Sequence, residues 1–266
     1  MKSRVSVIMP NYNCEQYIEK AIESILGQTY FDFEFIIIDD CSIDESWNII
    51  LEYQKKDSRI RAFRNEKNRG ISFTMNYGVS LANYDIIARM DSDDVAFKIR
   101  LEKQIVMMKE FDVVGSNIKF INSFGQELGT REYDFENISK RIKKESPLAN
   151  PTVMFKKELI EKYGGYIEEI DVSEDYDMWL RWYSKGVKFG GINEVLMEYR
   201  QHNGQMKYVK TRRTLKQSVV VKIRAVILYN IKFSLSDWIR LLCEIILLMV
   251  PRKIMLILFY KTKMKK

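Results

Sequence analysis

In the stretch Asp85-Ile86-Ile87-Ala88-Arg89-Met90-Asp91-Ser92-Asp93-Asp94, an apolar run ends in three carboxylates within four residues. Ile86, Ile87 and Ala88 read as a buried strand. The acids then fall at the strand's carboxyl end, where open α/β sheets bind ligands. Asp91 and Asp93 are two apart, so in a strand-to-loop turn both can face one hard ion. Mg²⁺ or Mn²⁺ takes oxygen ligands and keeps substrate phosphates in its shell. The chemistry this spacing suggests is a metal–diphosphate site. The competing reading is a solvated acidic loop, or the acidic cap of a helix starting near Phe97. A second acid pair, Asp39-Asp40, closes the apolar run Phe33 to Ile38, and a third, Glu174-Asp175, follows Ser173. Ser173 can cap a helix whose first turn holds that third pair, with the helix dipole favouring the charge. His202 is the only histidine.

The segments around these acids predict a doubly wound sheet. Val5 to Met9 reads as a first strand ended by Pro10, which leaves Pro10-Asn11-Tyr12-Asn13 as a loop. Glu15 to Leu26 is a helix with Ile18, Ala21, Ile22 and Ile25 on one face. Phe33 to Ile38 is nearly all apolar, as expected of a strand covered on both sides. Ser42 or Asp44 can cap the next helix, which carries Trp47, Ile50 and Leu51. Ile60 to Arg64 is a short strand and Ser72 to Leu81 a helix. Strand and helix alternating with short links imply parallel strands and right-handed crossovers. The Asp39-Asp40 and Asp91–Asp94 strand ends should then open onto the same edge.

Beyond Asp94 the pattern loosens. Ile99 to Met108 and Phe135 to Glu145 read as helices. Val113 to Ile121 and Glu127 to Glu132 read as antiparallel strands, and Asn150 to Phe155 as another. Val187 to Phe189 and Val195 to Tyr199 read as strands, with Arg200 to Gly204 leaving the sheet. Trp179 and Trp182 fit core positions better than a sugar platform.

At 266 residues and 46% hydrophobic, the chain is long and apolar enough for one large α/β domain with an appendage. The composition excludes a disordered tail or a small disulfide scaffold. Cys14, Cys41 and Cys243 lack metal-ligand spacing, and Val5 to Met9 is too short for a signal core, so a cytosolic chain with reduced thiols is expected. The net charge of +7 is unevenly spread: residues 204–266 carry fifteen Lys/Arg and two acids, against 28 and 34 in residues 1–203. A tail of +13 behind a front of −6 suggests a polyanion partner. Lys207 to Asn230 reads as a long basic helix, followed by apolar Leu241 to Val250 and Ile254 to Tyr260. Pro251, Arg252, Lys253 and Glu244 break this up, so neither half reaches the roughly 20 apolar residues of a span. A helical hairpin lying on an anionic membrane surface fits, with Arg252, Lys253, Lys261, Lys263, Lys265 and Lys266 each worth about 1 kcal/mol toward headgroups. A helix pair packed on the catalytic domain, an oligomer contact and a tilted span are the alternatives.

With these motifs placed, the chain resembles a family 2 glycosyltransferase of the GT-A fold. The matching stretches are Val5 to Asn13, Gln28-Thr29-Tyr30, Ile38 to Ser42, Asn68 to Ser72, Met90 to Asp94, Ser173 to Asp177 and Tyr199 to His202, in the family's order. The resemblance implies an α/β catalytic domain over residues 1–204: a Rossmann-like, mostly parallel sheet with an antiparallel extension. Its nucleotide-binding half would span about 1–95 and its acceptor half about 96–204, with residues 205–266 as the helical tail.

The resemblance also implies roles. Tyr12 would lie near the base, with Pro10 and Asn13 shaping its loop. Asp40 would accept a uracil-type N–H, the alternative being a helix cap. Asn68 and Gly70 would border the nucleotide. Asp91 and Asp93 would hold a divalent cation, Mn²⁺ or Mg²⁺, and the ribose, meeting the charge that builds on the leaving nucleoside diphosphate. His202 and Arg200 would approach the metal or phosphates. Asp175 would be the base that takes the acceptor hydroxyl proton in an inverting transfer, with Glu174 orienting it or the acceptor. Two positions depart from the family: Met75 stands before Asn76 where an Arg is common, and Asn150 where many relatives carry a His.

These roles imply an inverting transfer from a nucleotide sugar, UDP-linked, to a glycan or polyprenyl-linked acceptor in cell-surface polysaccharide biosynthesis. The protein would be cytoplasmic and peripheral on the inner face of the membrane. The alternatives are a sugar-nucleotide nucleotidyltransferase and a nucleic-acid-binding protein using the basic tail. The first lacks a Gly-rich phosphate loop after strand one; the second lacks any nucleic-acid motif, so no nucleic-acid partner is expected.

Overall fold

Alternation along the first strands sets the layering. Every residue of β1 (Val5–Asn11) and β2 (Phe33–Asp39) is buried, and successive side chains point to opposite sheet faces. Val5, Val7, Met9, Phe35 and Ile37 enter a core shared with α1 (Ile18–Leu26). Ile8, Ile36 and Ile38 enter a second core shared with α3 (Gly70–Leu81) and α7 (Glu174–Ser184). Both faces are therefore covered, as the mainly apolar runs imply. The computed structural model describes residues 4–170, 172–202 and 211–250.

The strands β3 (Ile60–Arg64), β2, β1 and β4 (Ile86–Arg89) pair in parallel, with α2 (Ser46–Lys56) between β2 and β3 in the chain. A mixed extension follows. β8 (Met154–Lys156) pairs antiparallel with β4 and β6 (Val113–Asn122), and β9 (Phe189–Gln201) runs parallel beside β6. Short β5 (Val95–Ala96) pairs with β9, and β7 (Glu127–Arg131) forms a hairpin with β6. The order is β3-β2-β1-β4-β8-β6-β9-β5, a mixed, GT-A-like α/β sheet of the expected kind. Trp179 and Trp182, fully buried, pack edge-to-face against each other in the core.

Several local expectations are corrected. Pro10 does not end β1; it pairs with Ile38 inside the strand. The Ile8 carbonyl accepts from Met90 N on the β4 side, and the Asn11 carbonyl accepts from Asp40 N on the β2 side. Pro10 thus turns its missing N–H toward β4, whose pairing stops at Arg89, so no ladder bond is lost. Phe189 to Gln201 is one bulged strand, which keeps Arg200 and Gln201 in the sheet. The helix expected over Phe135 to Glu145 shrinks to a 3₁₀ turn, Phe135–Asn137, and α5 (Ile138–Arg141). Asn150–Thr152 is a 3₁₀ turn with Pro151 at its start, so the strand begins only at Met154. Ser173 does not cap α7 with its side chain; it takes a left-handed conformation, φ 69°. For a non-glycine residue this costs roughly 1 kcal/mol or more. Asp44, not Ser42, serves α2, its Oδ1 accepting from Ser46 N at 3.1 Å.

The tail's described part is a helix pair, α8 (Thr211–Ile227) and α9 (Leu235–Met249), the latter opened by a Ser234–Asp237 capping box. One side of the pair sits on the α/β domain: Arg224 and Tyr229 bond to Asp177 of α7. On the other, Leu235, Trp238, Ile239, Leu242, Ile246 and Met249 are each between 47% and 78% exposed. Among the described residues no helix is long and apolar enough to cross a membrane. The expectations for Lys207 to Lys210, for the segment from Pro251 through Ile254–Tyr260 to Lys266, and for Asn203 and Gly204 lie outside the described residues.

Candidate active site

The carboxyl ends of β1, β2 and β4 open, as expected, onto one cleft of about 1010 Å³, which the first turn of α7 also lines. Pro10, Tyr12, Asn13, Asp40, Asn68 and Gly70 line it from the β1–β2 side, and Asp91, Asp93 and His202 from the β4 side. Glu174 and Asp175 line it from α7. Acids from all three pairs, far apart along the chain, therefore reach one space.

The two acids after β2 do different work. Asp39 is fully buried and accepts from Asn11 Nδ2 at 2.8 Å, from Ser42 N and from Arg64 Nε at 3.2 Å, so it braces the loops. Asp40 accepts from Asn65 Nδ2, Arg69 N and Gly70 N, each at 2.8 Å. It thus both pins the Asn65–Gly70 loop and serves the start of α3, where Gly70 adopts φ 81°. The base-contact and helix-cap readings of Asp40 are compatible. A carboxylate has about four acceptor positions, and Oδ2 accepts only the Gly70 bond among these three.

Three buried guanidiniums, Arg89, Arg100 and Arg200, surround the acids after β4, and sequence reasoning named only Arg200. Arg89 Nε donates to Asp91 Oδ1 at 2.9 Å, and its buried Nη1 has no hydrogen-bond partner. Arg100 donates to the Arg89 carbonyl, and burial pulls its pKa down to about 10 against the nearby Asp91 and Asp94 charges. Arg200 donates from its backbone N–H to Asp94 Oδ1 at 2.8 Å and from Nε to the Asp93 carbonyl at 2.8 Å, with its guanidinium over the Tyr17 ring. The structure thus places the Arg200 side chain against the backbone behind the acids rather than on the cleft wall. The only sequence signal for Arg89 was a lone cation at the end of a buried apolar run.

This arrangement sharpens the test of a cation site. Crowding alone does not demand one, because Arg89 already pairs with Asp91. Yet Asp94 is held well above the usual carboxylate range by burial and by the Asp93 and Asp91 charges, and its Oδ2 is buried without a partner. Asp93 Oδ2 meets His202 Nε2 at 3.1 Å, so a carboxylate oxygen and an imidazole nitrogen converge on the cleft. The carboxylate suits Mn²⁺ or Mg²⁺ completed by phosphates and water, and the imidazole favours Mn²⁺ over the harder Mg²⁺. Among the described residues no three His, Cys, Asp or Glu side chains enclose an ion by themselves.

On α7, Glu174 is buried, and its pKa is pushed up to about 8 by burial and the Asp175 charge, with Arg89 opposing. Asp175 is half-buried, its Oδ1 accepting from Tyr176 N at 2.8 Å. A neutral Glu174 beside an accessible Asp175 divides the pair into a hydrogen-bond donor and a candidate base. The cleft also carries Asn150 and, from the tail, Thr214 and Ser218, which sequence reasoning did not place there.

A glycosyl transferase family 2 model matches residues 6–164. The O-antigen biosynthesis glycosyltransferase WbnJ of Escherichia coli is 40% identical over 207 residues, covering 75% of this chain and 80% of that one. UDP-Glc:alpha-D-GlcNAc-diphosphoundecaprenol beta-1,3-glucosyltransferase WfaP of E. coli is 33% identical over 220 residues, or 82% and 85% of the two chains. Among solved structures, S. aureus TarS 1-349 in complex with UDP-GlcNAc superposes with a TM-score of 0.66 at 23% identity, covering 83% of this chain and 66% of that one. The TarS likeness shows the fold; the family model and the E. coli relatives show that this chain belongs to glycosyltransferase family 2.

Proposed function

We propose that the protein transfers a sugar, with inversion, from a UDP-sugar to a lipid-linked glycan during assembly of a cell-surface polysaccharide. The observation that carries this reading is the single cleft shared by the Asp40 loop, the Asp91–Asp93–His202 group and the Glu174–Asp175 pair. The names of WbnJ and WfaP support the pathway and the lipid-diphosphate acceptor, and the UDP-GlcNAc held by TarS supports the donor class.

In this reading Tyr12 and the free acceptor position of Asp40 receive the base, with Pro10, Asn13, Asn68 and Gly70 shaping its pocket. Asp93 and His202, with Asp91, would hold a divalent cation, which when bound supplies positive charge to the diphosphate. Arg200 fixes the loop that bears Asp93, through Nε on the Asp93 carbonyl. Asp175 takes the proton of the attacking acceptor hydroxyl, and protonated Glu174 donates a hydrogen bond that orients the pair. The exposed apolar row on α9, beside basic Arg212, Arg213 and Lys216 of α8, supports docking on an anionic membrane surface, with the protein peripheral on its cytoplasmic face.

The test is a panel of nucleotide sugars with Mn²⁺, Mg²⁺ or EDTA, scored by thermal shift and nucleoside diphosphate release. A metal-dependent shift with UDP-sugars is expected. The same shift with EDTA present would remove the cation from the reading, and no shift with any nucleotide would sink it.

A further inference from the structure

Helix α8 does two things that membership of the family leaves unexplained. Thr214 and Ser218, four apart and hence on one helix face, line the same cleft as Glu174, Asp175 and Tyr176. The same helix, with Tyr229 just beyond its end, grips α7. Asp177, three residues beyond Glu174 and wholly buried, accepts from Arg224 Nε at 3.0 Å, and both its oxygens accept from Tyr229 OH at 2.9 Å. Arg181 of α7 itself stands farther off, at 3.7 Å, and a carboxylate that deep is strongly disfavoured without close partners, so these contacts help hold α7 in place. The linkage continues to α9: Lys222 Nζ meets both oxygens of Glu244 at 2.6 Å, and Arg240 reaches cleft-lining Glu145 at 3.8 Å.

We infer that α8 is a wall of the acceptor site: Thr214 and Ser218 contact the acceptor sugar, and Arg224 and Tyr229, acting through Asp177, are positioning residues for Glu174 and Asp175. This rests on the transferase reading of the cleft. Hydroxyls both donate and accept, which suits a sugar whose own hydroxyls do the same. The tail's basic helix is thereby part of the active site as well as a surface for docking. An acceptor held by its lipid beside α9 would present its sugar to the other face of the same helix pair.

The experiment uses the full chain, with UDP for binding, UDP-glucose and UDP-N-acetylglucosamine as the sugar donors, and N-acetylglucosamine linked through diphosphate to a short alkyl chain as acceptor. Ser218→Trp is expected to raise the acceptor KM at least ~10-fold while UDP affinity stays within ~2-fold. Tyr229→Phe is expected to lower kcat by roughly 10-fold with little change in KM. Arg224→Lys should recover most of the activity that Arg224→Gln loses. An unchanged acceptor KM in Ser218→Trp, an unchanged kcat in Tyr229→Phe, or UDP affinity falling in step with transfer overturns the inference. If the wild type binds UDP but transfers nothing to this acceptor, the acceptor assignment above has failed instead. Amide exchange over residues 174–178 then decides: acceleration in Tyr229→Phe supports the grip on α7, and unchanged exchange overturns it.

Discussion

Glu174→Gln gives the most direct measure of the site's electrostatics. Glu174 is buried, with a folded pKa of about 8 against a reference of 4.5. Between those values the folded chain keeps a proton that the unfolded chain has released. The stability it contributes is therefore complete below pH 4.5 and lost as pH rises toward about 8. The slope is about 1.4 kcal/mol per pH unit, or roughly 3–5 °C in Tm for a chain of this size. The glutamine of the variant would imitate the protonated form and titrate nothing, leaving only a constant offset from exchanging a carboxyl hydroxyl for an amide. The Tm difference between variant and wild type should therefore grow in the variant's favour at each step from about pH 5.5 to about 7.5, read by calorimetry at fixed salt. A difference that stays flat over that range would mean Glu174 is ionised in the fold. The division of the pair into neutral donor and charged base would then fall.

Asp175→Asn should reduce transfer by about 10²–10⁴-fold while leaving nucleotide binding intact; transfer at the wild-type rate would reassign the base. Asp93→Ala should abolish the Mn²⁺-dependent part of the nucleotide thermal shift, and an unchanged shift would count against Asp93 and His202 as a cation site. Trp182→Ala should destabilise the chain by roughly 3–5 kcal/mol in denaturant melts, because a buried indole packed on Trp179 and Phe155 is removed. Leu242→Glu with Ile246→Glu should weaken binding to vesicles containing phosphatidylglycerol with soluble transfer preserved. Equal vesicle binding would remove the α9 row from the membrane reading.

The first half was readable because β1, β2 and β4 are mainly apolar runs ending in polar residues, with Ser6 and Glu34 inside β1 and β2 hydrogen-bonded to each other. The chain beyond Asp94 was less readable. Asn150–Thr152 looks like the start of a strand by composition, but the Pro151 ring fixes a turn instead. The long helix expected over Phe135 to Glu145 lacked a sustained apolar face and breaks at Arg141. Pro10 misled for the opposite reason: the rule that proline ends a strand holds only where its missing N–H would face a partner.

By itself the sequence determined the α/β class, the meeting of the Asp39-Asp40 and Asp91–Asp94 strand ends on one edge, and the family, because each depends on short-range pattern and motif order. Tertiary structure alone decided what each acid does there. Asp39 became a brace and Asp40 a loop clamp, because Arg64, Asn65 and Gly70 fold back onto them. Glu174 and Asp175, adjacent in the chain, divided into a buried and an accessible carboxyl. Burial, and the charges that burial brings close, set a carboxylate's protonation and partners, and no spacing along the chain carries that information.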